Sequence, residues 1–478
     1  MPFVNWPHEL RLLVLEQLKH PDLHALSKVS KGVRILTEPV LYANILIAHE
    51  WQDHEIPWWL TLLLRTLLKR PQLCHYVRSL ELRGDGFTYW HSVWEEETIP
   101  PRIPVKKLPI GKAVKLIHAT RVPEAQAWVD GLKSKRNMDA IVALTLAMLP
   151  NLRSLRLGHS FTVYSQLIGM VLRCAVCTPG KYDLPAFRQL RSVTFSRRAH
   201  ELRHTKAPNN ALDIFPLLYL PEIQDLNVYI DTPLEYNWPA PTPPAPSSLT
   251  CLELGRVREM RLGMVLSALN RLQKLQWNWY HAEDLDPEVS TDLIEVDTMA
   301  EALAHVAETL TDLRIYAETF RSVDDHDKPF ISIRGSLLDG GLACMGQLRK
   351  LVVPWAFLMG LSPSTVRPLF KGALPPSLEM LSMPTYLGDE EEDWYWNDES
   401  ITREIMSWFD DWTGLPLPGG NLRRIELPCL IYEDRLAKEM IPEFKKIDEC
   451  AGVKLDGQVE WRSNGKVFFN YSIVFESS

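Results

Sequence analysis

His200-Glu201-Leu202-Arg203-His204 satisfies the spacing H-E-x-x-H. On a helix, two histidines four residues apart share a face and could hold zinc, leaving the glutamate as general base. The surroundings argue against that chemistry. Helices carrying such a pair are long and largely apolar, whereas this segment holds Arg197, Arg198, Arg203 and Lys206 and no apolar stripe beyond Ala199 and Leu202. Ala207 and Asn210 stand where an extended motif would place its Gly and third His, and Glu222 is the one nearby candidate third ligand. The segment reads as a basic exposed loop, with a zinc-dependent hydrolase using His200, Glu201 and His204 as an alternative. Gly158-His159-Ser160-Phe161-Thr162 opens like a nucleophile elbow but lacks the closing glycine of that strained turn. Cys174 and Cys177 form a lone C-x-x-C in an expected helix and read as structural thiols, since no second pair completes a zinc site. Neither a P-loop nor G-x-G-x-x-G occurs, so no nucleotide chemistry is supported. No catalytic residue, metal or cofactor is assigned.

The elements that would position any site follow from composition. The chain has 478 residues, with 52 Lys+Arg against 60 Asp+Glu for a net charge of -8. This balance disfavours sequence-independent nucleic-acid binding, which rests on cations neutralising phosphates. The basic stretch Arg102 to Arg136 reads as a solvated face. Seven cysteines, an odd number spread from Cys74 to Cys450, suit reduced thiols rather than a secreted disulfide framework. The opening MPFVNWPHEL lacks a leader's basic flank and apolar core, and the longest apolar run, Trp58 to Leu64, stops at Arg65. A cytoplasmic or nuclear protein without membrane contact is expected.

Leucine is the unusual count, 71 of 478 residues, and it calls for a search for repeats. One pattern recurs: apolar, two residues, apolar, one residue, apolar. Its anchors are Val77/Leu80/Leu82, Leu152/Leu155/Leu157, Leu190/Val193/Phe195, Ile223/Leu226/Val228 and Leu249/Leu252/Leu254, then Leu272/Leu275/Trp277, Leu310/Leu313/Ile315, Leu348/Leu351/Val353, Leu378/Leu381/Met383 and Leu422/Ile425/Leu427. Apolar helical stretches precede many of these strands, at Ala140 to Leu149, Met260 to Leu269, Met299 to Leu310 and Leu337 to Met345. An α/β chain of alternating helix and short strand is expected. It resembles an irregular leucine-rich-repeat solenoid, although most steps between central anchors exceed the usual period of roughly 20 to 29 residues and the usual Asn or Cys after the last anchor is absent. Side chains alternate with period two along a strand. Residues flanking the central anchors therefore face away from the core: Asp225, Asn227 and Tyr229; Lys274, Gln276 and Asn278; Asp312, Arg314 and Tyr316.

Residues 5 to 42 read differently. Pro7 suits a first helical turn, and Leu10, Leu13, Val14 and Leu18 share a face; Asp22 could cap a second helix carrying Leu23, Leu26 and Val29, with the helices ending near Pro39. The order Trp6-Pro7-x-Glu9-Leu10, then Val14, Leu18, Pro21-Asp22-Leu23, Leu26 and Val29-Ser30 resembles an F-box, with Trp6 where Leu is usual. The resemblance covers residues 3 to 46. It implies docking on the Skp adaptor of a cullin-RING ubiquitin ligase through Trp6, Pro7, Glu9, Leu10, Val14, Leu18, Leu23, Leu26 and Val29. It also implies that the repeats present an unidentified target protein, with no catalysis in this chain; a repeat scaffold without a ligase link is the other alternative.

The expected organisation is an F-box (1–46), a helical linker (47–76), repeats (77–432) with insertions at 83–136, 231–248 and 387–400, and a C-terminal cap (433–478). The insertions hold Trp90 and Trp94, an extended proline-rich 239–246, and the acidic, aromatic 388–399 with Trp394, Tyr395 and Trp396, all expected on rims. A helix at 433–450 and a hairpin around Asn464-Gly465 form the cap.

Overall fold

The computed structural model describes residues 6–49, 58–84, 103–134, 137–158, 161–162, 164–195, 210–230, 237–282, 290–320, 331–363, 373–383, 387, 396, 398–410, 421–427, 454–463 and 466–474. The chain is an α/β protein with a large, mostly parallel sheet. It divides into two compact units, Met1–Tyr229 with Asn237–Ser248, and Ile230–Tyr236 with Leu249–Ser478. That division falls inside the expected repeat region.

The first unit opens with α1 (His8–Gln17), α2 (His20–Leu26) and α3 (Lys31–Leu41). Pro21 sits in the first turn of α2, where no N–H is needed, so the helix starts at His20 and Asp22 lies within its first turn rather than capping it. Ser30 caps α3, its Oγ accepting the Val33 N–H at 3.2 Å. α3 runs past Pro39 because a proline in the last turn forfeits only one ladder bond. Leu15, Leu23 and Val33 are buried beneath the three helices. β1 (Asn44–His49) follows, so the boundary expected at 46 lies inside a strand. α4 (Trp58–Lys69) and a 3-10 turn at Pro71–His75 occupy the expected linker.

β2 (Ser79–Gly84), β3 (Ser154–Leu157), β4 (Ser192–Phe195) and β5 (Asp225–Tyr229) then join β1 in chain order, every pair parallel. Between β2 and β3 lie α5 (Ile110–Thr120), α6 (Ala125–Lys133) and α7 (Met138–Ala147). The insertion expected at 83–136 is thus, where described, mostly helical and packed. Ala113, Ile117, Trp128, Val129 and Leu132 are buried, and Trp128 Nε1 donates to the Ala140 carbonyl at 3.0 Å. Its lysines, among them Lys112 and Lys115, stay exposed on the opposite face. α8 (Gln166–Leu172), with a π turn at Arg173–Cys177, and α9 (Ala211–Ile214) complete this helical layer. The proline-rich 239–246 has neither helix nor strand, as expected. It folds back within the unit: Tyr219 Oη donates to the Thr242 carbonyl at 2.7 Å, and the Phe215 and Trp238 rings lie 5.0 Å apart.

The second unit contains β6 (Cys251–Gly255), α10 (Glu259–Leu266), β7 (Lys274–Ala282), β8 (Leu293–Glu295), α11 (Val296–Ala304), β9 (Asp312–Phe320) and β10 (Ser332–Arg334). After them come β11 (Lys350–Val352), α12 (Trp355–Met359), β12 (Met380–Ser382), α13 (Asp398–Asp410), β13 (Arg424–Leu427), β14 (Lys454–Ser463) and β15 (Lys466–Val474). Its sheet runs β6-β7-β9-β11-β12-β13-β14 in parallel and ends on antiparallel β15, the expected hairpin, while β8 and β10 pair separately. The expected helix at 337–345 is instead a series of turns. Gly340 takes a φ of +101°, outside the helical region, and a Cβ on Gly341 would come within 2.7 Å of Ala300 Cβ.

All ten anchor triplets lie on or beside strands, and their described residues are buried. The ten central anchors align in register, Leu80, Leu155, Val193 and Leu226 in the first unit and Leu252, Leu275, Leu313, Leu351, Leu381 and Ile425 in the second, and Ile45 on β1 and Leu455 on β14, outside the expected triplets, extend the two rows. Each fully buried leucine contributes about 2 kcal/mol, and a one-residue slip would turn the whole row outward. Trp396, expected on a rim, is instead buried. Trp128, Trp277, Trp279 and Trp355 are fully buried, and Trp396, from the acidic segment, packs edge-on against Trp355 at 5.2 Å while its Nε1 donates to the Gly360 carbonyl at 2.9 Å. Trp90, Trp94, Trp394, Tyr395, the helix expected at 433–450 and the 464–465 turn lie outside the described residues.

Candidate functional site

α1 is amphipathic in an unusual sense. Leu15 faces the core, whereas Leu10, Leu13 and Val14, at i, i+3 and i+4, form an exposed apolar row, continued before the helix by Trp6. Leu10 is 50% exposed, Val14 40%. Val29 after α2 and Ile35 on α3 are also exposed, as are Pro7 and Glu9; Leu18 and Leu26 are half-buried. Leu23 lies in the core, so its role is to hold the helices together rather than to touch a partner. Leu13, already placed on the α1 face by its helical spacing, and Ile35, which no sequence pattern singled out, are exposed as well. Behind this surface, Arg70 makes a bidentate bridge to Glu38 at 2.8 and 2.7 Å, tying the turn after α4 to α3.

The strand-face residues fall in different units. Asp225 is exposed and Asn227 and Tyr229 half-buried on β5, in the first; the other six lie on neighbouring β7 and β9, in the second. There the register pairs Lys274 with Asp312, Gln276 with Arg314 and Asn278 with Tyr316. Much of their hydrogen bonding is internal. Arg314 donates to both Asp312 oxygens at 3.0 and 3.1 Å, and these bonds hold its guanidinium pKa above the ordinary value; Asn278 donates to Glu253 at 3.3 Å. Glu253 belongs to the same surface, one strand earlier, at the position between the last two anchors.

A second polar constellation gives no such pattern in sequence. Arg258, at the start of α10, lies fully buried and donates to both Glu259 carboxylate oxygens at 2.9 Å. Its guanidinium also donates to Ser290 Oγ at 2.6 Å and the Thr291 carbonyl at 3.1 Å, and stacks 4.7 Å from the Trp279 ring centre. Trp279 Nε1 donates to Glu259 at 2.8 Å. His281 Nδ1 lies 2.8 Å from Ser290 Oγ and its Nε2 lies 3.4 Å from Asp292 Oδ1, so Ser, His and Asp stand in a row. The protonation pattern is that of a structural lock. Burial, then the Arg258 charge, depress His281 to a pKa of about 4; the neutral ring accepts from Ser290 at Nδ1 and turns Nε2–H toward Asp292. His281 is 1% and Ser290 4% exposed, which leaves no approach for a substrate carbonyl. The bonds from Arg258 and Trp279 hold Glu259 below the usual carboxylate range despite burial.

The remaining motifs carry less. Cys174 and Cys177 lie in the π turn; burial raises both thiols, Cys177 to about 11, and they are poor thiolates. Gly158 follows β3 with a Cβ position 3.0 Å from the Gly84 nitrogen, so its place demands glycine for a close backbone approach. His159, Ser160 and the whole segment from His200 to His204 lie outside the described residues. Among the described residues no cluster of three His, Cys, Asp or Glu could hold a metal ion, and no helix is long and apolar enough to cross a membrane. A scan of protein-family models finds no match to this chain, and neither does a search of curated proteins.

Proposed function

We propose that this chain is the substrate-recognition subunit of a Skp–cullin–F-box ubiquitin ligase. Its N-terminal helices would dock on the Skp adaptor and its parallel strands, read as an irregular leucine-rich-repeat solenoid, would hold a target protein. The single observation that carries this reading is the exposed row of Trp6, Leu10, Leu13 and Val14 on a three-helix element with a core of its own. Large apolar side chains grouped on one helix face mark an interaction surface. The repeat reading draws support from central anchors aligned strand after strand in parallel register. The role is one of proximity: holding target lysines beside a ubiquitin-charged enzyme raises their effective concentration, with no bond made or broken here. Such a role belongs to the cytoplasm or nucleus.

Completing the burial of half-exposed Leu10 and Val14 is worth about 1 kcal/mol each. Purified full-length chain should therefore bind a recombinant Skp adaptor in calorimetry, and Leu10→Ala/Val14→Ala should weaken that binding roughly 30-fold with unchanged circular dichroism. No binding by the parent chain, or equal binding by the folded variant, would overturn the proposal.

A further inference from the structure

The same two residues open three successive strands of the first unit: Arg78-Ser79 at β2, Arg153-Ser154 at β3 and Arg191-Ser192 at β4. Parallel pairing puts them side by side, with Ser79 opposite Ser154 and Ser154 opposite Ser192. The arginines are linked through their backbones. The Arg78 carbonyl accepts the Arg153 N–H at 2.7 Å, and the Arg153 carbonyl accepts the Arg191 N–H at 2.9 Å. Neighbouring strands lie about 4.8 Å apart, so three guanidinium groups rise from a line roughly 10 Å long. All three side chains are exposed, and the three serines beside them are half-buried. Arg153 Nε donates to Gln189 Oε1 at 3.3 Å. Among the described residues no carboxylate lies within ion-pair distance of the three arginines.

Like charges in adjacent register positions repel, so folding gains nothing from this arrangement. The second unit handles the same column differently. Thr250, Gln273, Thr311, Arg349, Glu379 and Arg423 occupy it, and Arg349 faces Glu379 at 3.6 Å. Charge there is diluted and compensated, whereas in the first unit it is concentrated and left open.

We infer that the Arg78–Arg153–Arg191 row is a binding site for a peptide segment carrying two clustered anionic groups, phosphate or carboxylate. Planar guanidinium groups bind such oxygens bidentately, and the adjoining serine hydroxyls supply further donors. Two anions two residues apart on an extended peptide are about 7 Å apart and fit within the row. This inference goes beyond the adaptor reading and is independent of it, because the adaptor is absent from the test.

Full-length chain is titrated into three fluorescein-labelled nonapeptides of Gly/Ser background, carrying two phosphoserines two residues apart, two glutamates at those positions, or neither. Fluorescence anisotropy is read at 50 and 200 mM NaCl. The phosphorylated or the glutamate peptide should bind at least tenfold more tightly than the neutral one, and whichever binds better names the source of the anion. That binding should weaken severalfold at the higher salt. Arg78→Gln/Arg153→Gln/Arg191→Gln should abolish the preference without lowering Tm, since the backbone ladder does not use the guanidinium groups, while Arg349→Gln should leave it intact. Equal binding of all three peptides, a triple variant that binds as the parent does, or tighter binding of a single-stranded oligonucleotide than of either anionic peptide would overturn the inference.

Discussion

Lowering the pH should unlock the second unit through His281. An unfolded histidine titrates near 6.5, whereas the folded side chain, buried beside Arg258, titrates at about 4. Between those values the unfolded chain binds the extra proton and the folded chain does not, so stability rises with pH across the window. The contribution is fully present above pH 6.5 and is lost as pH falls toward 4. At about 1.4 kcal/mol per pH unit, the gap amounts to roughly 3 kcal/mol by pH 4 and about 2 kcal/mol at pH 5. His281→Gln keeps a carbonyl oxygen to accept from Ser290 and Arg258 but does not titrate. Urea unfolding of both proteins at pH 7, 6, 5 and 4, with hydrogen exchange of the β7 segment at each pH, should show the parent's advantage shrinking by about 3 kcal/mol. The comparison is needed because Asp139 in the first unit works the opposite way. Burial pushes it up to about 7 against the opposing Leu167 and Ile168 N–H bonds, so its stabilisation is present below pH 3.8 and is lost as pH rises through 7. Parent and variant share that term. Stability curves for the two proteins that run parallel from pH 7 to 4 would refute the neutral, locked histidine.

Further expectations rest on single contacts. Glu259→Gln leaves the fully buried Arg258 charge without its counter-ion and should cost about 3 to 5 kcal/mol in urea unfolding, whereas Arg258→Met/Glu259→Leu, which removes both charges, should cost less. Leu23→Ala should destabilise the chain by about 2 to 5 kcal/mol, because Leu23 is a core residue, and Leu10→Ala should leave thermal unfolding nearly unchanged. Gly169→Ala should lower Tm by several degrees in calorimetry, since its Cβ would come within 2.5 Å of Asp213 Cα, a backbone atom that cannot swing away.

The repeat strands were legible in the sequence because burial at i, i+3 and i+5 is a local property, readable wherever leucine recurs. The helical spacing of α1 was legible for the same reason, and with it most of the exposed row. Local pattern misled where one face of a segment was polar. The lysines between residues 103 and 134 announce a solvated stretch, but Trp128 and Ile117 on the other face make α5 and α6 part of the packed layer. It misled again at 337–345, where apolar residues at helical spacing meet two glycines, one held at positive φ. What only the tertiary structure decided are the contacts between residues distant in the chain. Arg258, His281 and Ser290 have no shared period, and they meet because β7 returns beside β6 and the chain after it folds back over α10. Arg78, Arg153 and Arg191 are separated by unequal helical insertions, yet each stands one residue before a paired serine, so parallel register alone brings their charges together. Hydrophobic spacing is written residue by residue, but a charge acquires its meaning from the neighbours that burial and register give it.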